Sequence, residues 1–183
     1  MGHYKSNLRD IEFNLFEVLG RGEVLGHGAY KEVDADTARE MLKEVSRLAE
    51  NELAESFVDA DRIPPVYDPV TQEVTMPASF AKSYRAYQDS GFWSVDVPGE
   101  LDGTVAPPSL KWAMNEMVLG ANPAIAMFAA SYSFGKLLYL LGNDEQKKLA
   151  RWVIDNGSHC TMVLTEPDAA SDVGPGRAKA VAN

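Results

Sequence analysis

One short β-branched segment near the end of an otherwise helical pattern constrains the fold most. Residues 160–165, with the sequence CTMVLT, form the only convincing strand signal in the chain. No partner strand is predicted between this segment and Asn183. A lone strand leaves its backbone N–H and C=O groups unpaired and does not fold independently. We therefore expect a mainly α-helical domain followed by the first strand of a truncated β-domain.

Apolar residues recur with helical spacing over most of the chain before residue 158. Thr37 and Glu40 have capping-box spacing and predict the first long helix. Pro64 predicts its end, because a residue before proline avoids the helical conformation. Asn143 predicts the N-cap of the last helix. The other predicted helices cover 77–90, 108–120 and 123–142, and the last one ends near Gly157.

The segments between these helices are predicted to be irregular. An amphipathic stretch at 11–19 leads into a glycine-rich loop at 20–28. Gly20-Arg21-Gly22 resembles part of a dinucleotide-binding fingerprint, but the third glycine has the wrong spacing and no strand precedes it. We interpret it as a plain loop. Residues 67–76 are predicted to be a polar connection.

Residues 117–135 contain no charged side chain, which raises the question of a membrane span. Asn122-Pro123 interrupts the stretch, and Ser131 to Ser133 make it amphiphilic. A pair of buried helices in an all-α core is the better interpretation. No basic segment followed by an apolar run marks a secretory signal, so a cytoplasmic protein is expected. Residues 1–6 fit a myristoylation pattern, and a leading polar arm is the simpler alternative.

The composition excludes several classes of function. The 17 basic and 27 acidic residues give a formal charge of −10, which disfavours a non-specific nucleic-acid binder. Cys160 is the single cysteine, so an internal disulfide and a cysteine-based zinc site are excluded. The three histidines have no spacing suited to a metal site or a Ser-His-Asp arrangement. No metal is therefore expected.

Two motifs point to a family. Residues 141–148 read LGNDEQKK, and residues 162–173 read MVLTEPDAASDV, with a predicted helix between them. Together they resemble the acyl-CoA dehydrogenases, whose flavin-binding signature follows the pattern TEPxAGSD. The opening residues resemble the longer subfamily with an N-terminal extension. The resemblance implies an extension at 1–35, the N-terminal helical domain at 36–157 and the start of the middle β-domain at 158–183.

The resemblance also implies that the second motif contacts FAD. Small residues after a strand let the backbone approach a flat ring or a pyrophosphate closely. Thr165 and Ser171 supply hydroxyls, and Pro167 stiffens the loop between them. In the family, the serine that matches Ser171 also contacts the acyl-CoA substrate. The expected FAD contacts are Met162, Val163, Leu164, Thr165 and Ser171.

The motif departs from the family pattern at three positions. Ala170 stands where glycine is usual, and a positive φ there would cost about 1 kcal/mol. Asp168 replaces a commoner glycine, as in the longer subfamily. Met162 stands where an aromatic residue often lies against the flavin. These departures place the strength of FAD binding in question.

The resemblance implies α,β-dehydrogenation of acyl-CoA thioesters, of the fatty-acid β-oxidation type. The family's glutamate base lies in a C-terminal helical domain, and none of Glu116, Glu145 and Glu166 matches it. No catalytic residue is assigned, and the chain alone is expected to be inactive. By family analogy the helix at 123–142 lies near the acyl pocket.

Two alternatives stay open. The chain could be a non-enzymatic remnant or interaction module, whose exposed strand pairs with a full-length relative. It could also belong to an acyl-CoA oxidase branch of the same superfamily. A homo-oligomer is a further partner that the resemblance leaves open. Bound FAD separates the enzyme from the remnant, and oxygen reactivity separates oxidase from dehydrogenase.

Overall fold

The fold is dominated by helices, as a computed structural model shows for residues 2–179 and residue 181. Seven α-helices and one two-stranded sheet occur in these residues. The helices span Leu8–Glu12 (α1), Ala35–Leu48 (α2), Phe57–Arg62 (α3), Ala78–Asp89 (α4), Pro108–Ala121 (α5), Pro123–Leu141 (α6) and Asp144–Asp155 (α7). The mainly α fold predicted from the sequence is therefore confirmed.

Two of these helices continue without a break into wider or tighter turns. α1 runs on as a π-helical stretch over Phe13–Val18. α2 passes through π-helical Ala49–Leu53 and 3₁₀-helical Ala54–Ser56 into α3. The long helix predicted to end at the prolines thus exists as a chain of consecutive helical segments.

The caps explain where the helices begin. Asn143 accepts a hydrogen bond from the Gln146 N–H at 3.0 Å, and the Gln146 amide oxygen accepts from the Asn143 N–H at 2.8 Å. This capping box confirms the predicted start of α7. At α2 the predicted cap is wrong by one turn, because Asp34 accepts from the Thr37 N–H at 2.7 Å. Asp34 and Thr37 are both good caps, and the earlier one adds a turn of helix.

The polar connection predicted at 67–76 contains a short hairpin instead. β1 (Val66–Tyr67) pairs antiparallel with β2 (Val74–Thr75). The Asp68 carboxylate accepts the Val70 N–H at 2.8 Å and closes the turn between the strands. Side-chain capping of this kind lets a polar turn hold two strands that are too short for a clear periodic signal.

The core lies between α2, α4, α5 and the first residues of the chain. The fully buried large side chains include Leu42, Leu53, Leu101, Leu110, Met114, Met117 and Ile125. The N-terminal residues join this core through Ile11, Leu15, Leu25 and Val33. Residues 4–157 are called the helical body below.

Polar contacts also tie the start of the chain to the helical body. The Ser6 hydroxyl donates to the Glu50 carboxylate at 2.7 Å, and the Ser6 N–H donates to it at 3.0 Å. These hydrogen bonds, the hydroxyl's first, hold the pKa of Glu50 below its usual range. The leading arm is therefore anchored at its sixth residue.

α6 is covered on one side only. It buries Ile125, Ser131, Tyr132 and Gly135. It exposes Met127, Leu137, Leu140 and Leu141, the last to 80%. The prediction that the uncharged stretch 117–135 forms a pair of buried helices is thus wrong for α6, because no described element packs on its outer face. By length and composition α6 is also the one helix among the described residues that could cross a membrane.

The predicted strand at 160–165 is not formed. The described residues form no strand at 160–165. The nearest backbone pairing is an isolated bridge between Glu166 and Ala170. Strand formation needs a neighbouring backbone, and the described residues offer none at this position. The β-branched composition therefore marks a segment that stays unpaired here.

Candidate functional site

Residues 158–179, called the C-terminal segment below, contain the flavin-binding motif and carry a turn built around Glu166. The Glu166 carboxylate accepts backbone N–H groups from Arg177 at 2.6 Å and from Ala178 at 3.0 Å. The Glu166 carbonyl accepts the Ala170 N–H at 2.7 Å. Charge-assisted bonds of this kind are stronger than neutral ones. They fold residues 165–178 into a loop, called the Glu166 loop below.

Ala170 adopts a left-handed backbone in this loop, with φ of +48°. Glycine adopts this conformation without a steric cost, whereas the Cβ of alanine contacts the neighbouring carbonyl. The structure therefore gives a physical reason for the glycine that the family pattern has here. Alanine at this position keeps the conformation at a cost of about 1 kcal/mol.

The predicted FAD contacts all lie on the surface. Met162, Val163 and Leu164 are exposed to 64%, 87% and 56%. Thr165 and Ser171 are exposed at the two ends of the turn that Glu166 closes. Among the described residues the two hydroxyls and the N–H groups of 161–165 have no hydrogen-bond partner, so they can receive one from a ligand.

The C-terminal segment is attached to the helical body just before this motif. The Cys160 N–H donates to the Ser131 hydroxyl of α6 at 2.8 Å. The His159 ring packs edge-on against Phe128, with 4.9 Å between centroids, and lies 5.4 Å from Tyr84. These contacts fix the start of the segment beside α6 and leave residues 162–165 uncovered.

A cavity of about 400 Å³ opens where the segment leaves the body. Leu138 of α6, Val153 of α7 and the residues Cys160 and Thr161 are among its lining. A second cavity of about 460 Å³ lies between α5 and α6, along Val118, Ala126, Met127 and Ala130. α6 therefore forms one wall of two mostly apolar cavities that are open to solvent.

Of the other two carboxylates considered from the sequence, Glu116 is exposed and Glu145 is engaged in an ion pair. Lys148 pairs with Glu145 at 2.7 Å, and Arg151 pairs with Asp102 at 2.6 Å and with Asp155 at 3.0 Å. The described residues bring no three His, Cys, Asp or Glu side chains together as metal ligands. None of these groups is placed as a catalytic base.

One polar cluster was not predicted from the sequence. Lys111, Lys136 and Asp96 line a third cavity, of about 360 Å³, next to the α5–α6 cavity. A signal was present, since Lys136 is the single charged residue between Met117 and Leu141. The partners of Lys111 lie 18 and 19 residues away in a loop, which no local pattern reveals.

Comparison with known proteins supports the resemblance seen in the motifs. No family model matches the chain. Over 181 residues the chain is 54% identical to the broad-specificity linear acyl-CoA dehydrogenase FadE5 of Mycobacterium tuberculosis, covering 99% of this chain and 30% of that protein. It is 27% identical over 181 residues to 3-methylmercaptopropionyl-CoA dehydrogenase of Ruegeria pomeroyi, covering 97% of this chain and 30% of that protein. The predicted relationship to acyl-CoA dehydrogenases is confirmed.

Proposed function

We propose that this chain forms the N-terminal helical part of an FAD-dependent acyl-CoA dehydrogenase. The chain is a homologue of these enzymes and spans 30% of the length of each of the two relatives. The enzyme removes two hydrogens from the α,β positions of an acyl-CoA thioester. Residues 36–157 act as the N-terminal helical domain, residues 1–35 as its extension, and residues from 158 onward as the start of the β-domain. A cytoplasmic location belongs to the same proposal.

The observation that carries this proposal is the Glu166 loop. Its turn is closed by internal hydrogen bonds, with the Glu166 carboxylate 2.6 Å from the Arg177 nitrogen. Thr165 and Ser171 are left free to face outward. A loop that is ordered before its ligand arrives loses less conformational entropy on binding. This arrangement suits a binding loop better than a surface linker.

The residues present fit FAD. Residues 162–165 offer consecutive backbone N–H groups that have no hydrogen-bond partner among the described residues, and Thr165 adds a hydroxyl that can donate or accept. Ser171 offers a second hydroxyl, which serves FAD and the acyl-CoA in the family. The apolar side chains of Met162 and Leu164 provide surface against which a ring system can pack. FAD, when bound, supplies the oxidant for the reaction.

The cavity between α5 and α6 is the proposed acyl site. Its volume of about 460 Å³ and its apolar lining suit an aliphatic chain. The small side chains of Ala126, Ala129 and Ala130 keep this groove open along α6. The role of this chain is thus to bind and orient, because no carboxylate of the described residues lines this cavity.

The test is FAD binding by the protein purified at its native length. Each hydrogen bond from Thr165 or Ser171 contributes about 1 kcal/mol, so Thr165→Val and Ser171→Ala should each weaken FAD binding about fivefold. The double variant should weaken it more than tenfold. Thr75→Val is the matched control, because Thr75 is also exposed, in the hairpin and far along the chain from the motif.

Flavin absorbance of the purified protein and equilibrium titration with FAD provide the readout. Equal FAD affinity in the parent and the double variant would contradict the proposed contacts. A protein of native length that binds no FAD would favour the non-enzymatic interaction module. A reduced flavin that reacts rapidly with oxygen would place the protein in the oxidase branch.

A further inference from the structure

A charged cluster lies inside a cavity whose other walls are mostly apolar. The cavity, of about 360 Å³, lies between α5, α6 and the loop at 92–104. Lys111, Lys136 and Asp96 line it. The neighbouring α5–α6 cavity shares Lys111 but is lined by neither Asp96 nor Lys136. The charges of this cavity therefore define what a ligand there must carry.

Lys111 is largely buried, and no carboxylate of the described residues contacts it directly. Its ammonium donates to the backbone carbonyls of Trp93 at 3.1 Å and Phe92 at 3.4 Å. These partners are neutral dipoles, so they do not balance the charge. Burial lowers the pKa of Lys111 to about 8, with Lys136 adding to the effect and Asp96 opposing it. Among the described residues Lys111 therefore has no direct ion-pair partner, and Asp96 attracts it only from a distance.

Among the described residues one carboxylate lines this cavity, and it is already engaged. Asp96 pairs with Lys136 at 2.7 Å, and both side chains are less than 30% exposed. Asp96 is held in place by its backbone, which has φ of +66° and donates an N–H to the Thr104 carbonyl at 2.8 Å. Two cations face one anion, so the cavity carries one excess positive charge in a chain whose formal charge is −10.

The walls around this charge are mostly apolar and continue into the α5–α6 cavity. Trp93, Trp112, Leu137 and Leu140 contribute to the smaller cavity. Lys111, Trp112, Asn115 and Ser133 line both cavities, so an extended ligand can pass from one into the other. A ligand for this space has an aliphatic chain and one negative charge.

We propose that this cavity binds a carboxylate carried on an aliphatic chain, with Lys111 as the principal cation and Trp93 and Trp112 against the chain. A single excess charge matches a singly charged carboxylate better than a dianionic phosphate. The carboxylate has two sources, a free fatty acid or the distal end of a dicarboxylic acyl thioester. The second source would extend the proposed substrate range to acyl groups that end in a carboxylate.

The binding test compares octanoate with octanol, which has the same chain length and no charge. Isothermal titration of the native-length protein should give an octanoate Kd at least tenfold lower than that of octanol. Lys111→Met should raise the octanoate Kd at least tenfold and leave that of octanol within twofold. Lys82→Met is the control, because Lys82 lies on α4 in an exposed pair with Glu55.

Equal affinities for octanoate and octanol in the parent protein would overturn the proposal, as would an octanoate Kd that Lys111→Met leaves unchanged. Should Lys111→Met fail to fold, Lys136→Met takes its place, and the comparison in the parent protein needs no variant. The titration requires neither flavin nor turnover. Failure of the proposed function and failure of this proposal are therefore distinguishable.

A second comparison identifies the source of the carboxylate. For the distal end of a thioester, Lys111→Met should weaken suberoyl-CoA at least tenfold more than octanoyl-CoA. For a free fatty acid, both thioesters should respond equally, and octanoate should bind with an unchanged Kd in the presence of saturating octanoyl-CoA. Each of these results supports the cavity as a carboxylate site.

Discussion

The helical body and the C-terminal segment are both ordered by hydrogen bonds, but the body alone buries its apolar side chains. In the body Asn122 is 1% exposed and donates to the Leu53 carbonyl at 3.2 Å and the Ser56 hydroxyl at 3.0 Å. In the segment Glu166 binds backbone N–H groups at the surface. Val163, in the same segment, is 87% exposed.

This difference separates two sources of order. Burial of apolar surface stabilises the body by about 25 cal/mol per Å². The body therefore resists local opening and unfolds as a unit. The Glu166 loop has directional bonds and little burial, so it is shaped but weakly protected. A loop of this kind can bind and release a ligand without disturbing the core. The two regions should therefore respond to mutation on different energy scales.

The largest expected effect is in the core of the body. Leu42 is fully buried, and Leu42→Ala should lower the free energy of unfolding by about 2–5 kcal/mol, through lost transfer energy and a residual cavity. Val163→Ala in the segment should change it by less than about 0.5 kcal/mol. Urea denaturation followed by circular dichroism measures both. A cost of several kcal/mol for Val163→Ala would show that the segment is buried in the folded protein.

The second prediction concerns Lys111 and pH. The pKa of Lys111 is about 8 in the folded state, against about 10.4 for an unfolded lysine. Between these values the unfolded state binds the extra proton, so stability should rise as pH rises from 8 toward 10. The gain should reach about 2 kcal/mol. Burial raises the pKa values of Tyr84 and Tyr87 in the folded protein. Above pH 10 these two tyrosines therefore lose their protons more readily in the unfolded state, which lowers stability and opposes the trend.

The measurement is urea denaturation at pH 8, 9 and 10 for the parent protein and for Lys111→Met. The variant has no titrating group at position 111, so its free energy of unfolding should not increase between pH 8 and pH 10. The difference between the slopes of unfolding free energy against pH for the two proteins gives the contribution of Lys111. Parallel slopes would indicate that the ammonium is solvated in the folded state. The same residue then could not hold an unbalanced charge in the cavity.

Local signals account for most of the helical body. Pro77, Pro108, Pro123 and Asn143 act within one turn of the helix ends they determine, which the structure places within about one residue of the predicted ends. The hairpin at 66–75 was not predicted from the sequence, because its strands are only two residues long. Two strands of this length are held together by the turn between them, whereas an alternating apolar–polar pattern can be recognised only over a longer run of residues.

Features that depend on distant partners could not be read from the sequence. The predicted strand at 160–165 needs a neighbouring backbone that the described residues do not provide. The cavity charge arises because Lys111, Asp96 and Lys136 converge from three elements. For the candidate site, the motif at 162–173 gave the residue types, and the role of Glu166 in closing the loop emerged only from the structure.

The third prediction removes the bonds that close the Glu166 loop. In Glu166→Gln one amide NH₂ replaces an acceptor that faces the N–H groups of Arg177 and Ala178. The local opening energy should fall by about 1–2 kcal/mol, which predicts roughly tenfold faster hydrogen exchange at these two amides. Global stability should stay within about 0.5 kcal/mol, because the loop shares no burial with the core.

Glu145→Gln is the matched control, since Glu145 is an exposed glutamate in an i,i+3 pair with Lys148. It should leave exchange at 177 and 178 unchanged. FAD affinity should fall with Glu166→Gln if the proposed function is right. Unchanged exchange at both amides would show that the Glu166 carboxylate does not close the loop.

The smallest expected effect is a gain, from relieving the backbone of Ala170. Its φ of +48° is accessible to glycine without the Cβ contact, so Ala170→Gly should stabilise the loop conformation by up to about 1 kcal/mol. The greater freedom of glycine in the unfolded loop offsets part of this gain. FAD should therefore bind up to about fivefold more tightly.

Ala169→Gly, at the adjacent position, is the control for which we expect no gain in FAD affinity. Ala169 is not among the residues with positive φ, so glycine there adds freedom and relieves nothing. Its FAD affinity should stay the same or fall. If both variants tighten FAD binding, general flexibility of the Glu166 loop is the cause. If Ala170→Gly alone tightens it, the strain at one backbone position sets the affinity, and the ordered loop of the C-terminal segment is a binding element in its own right.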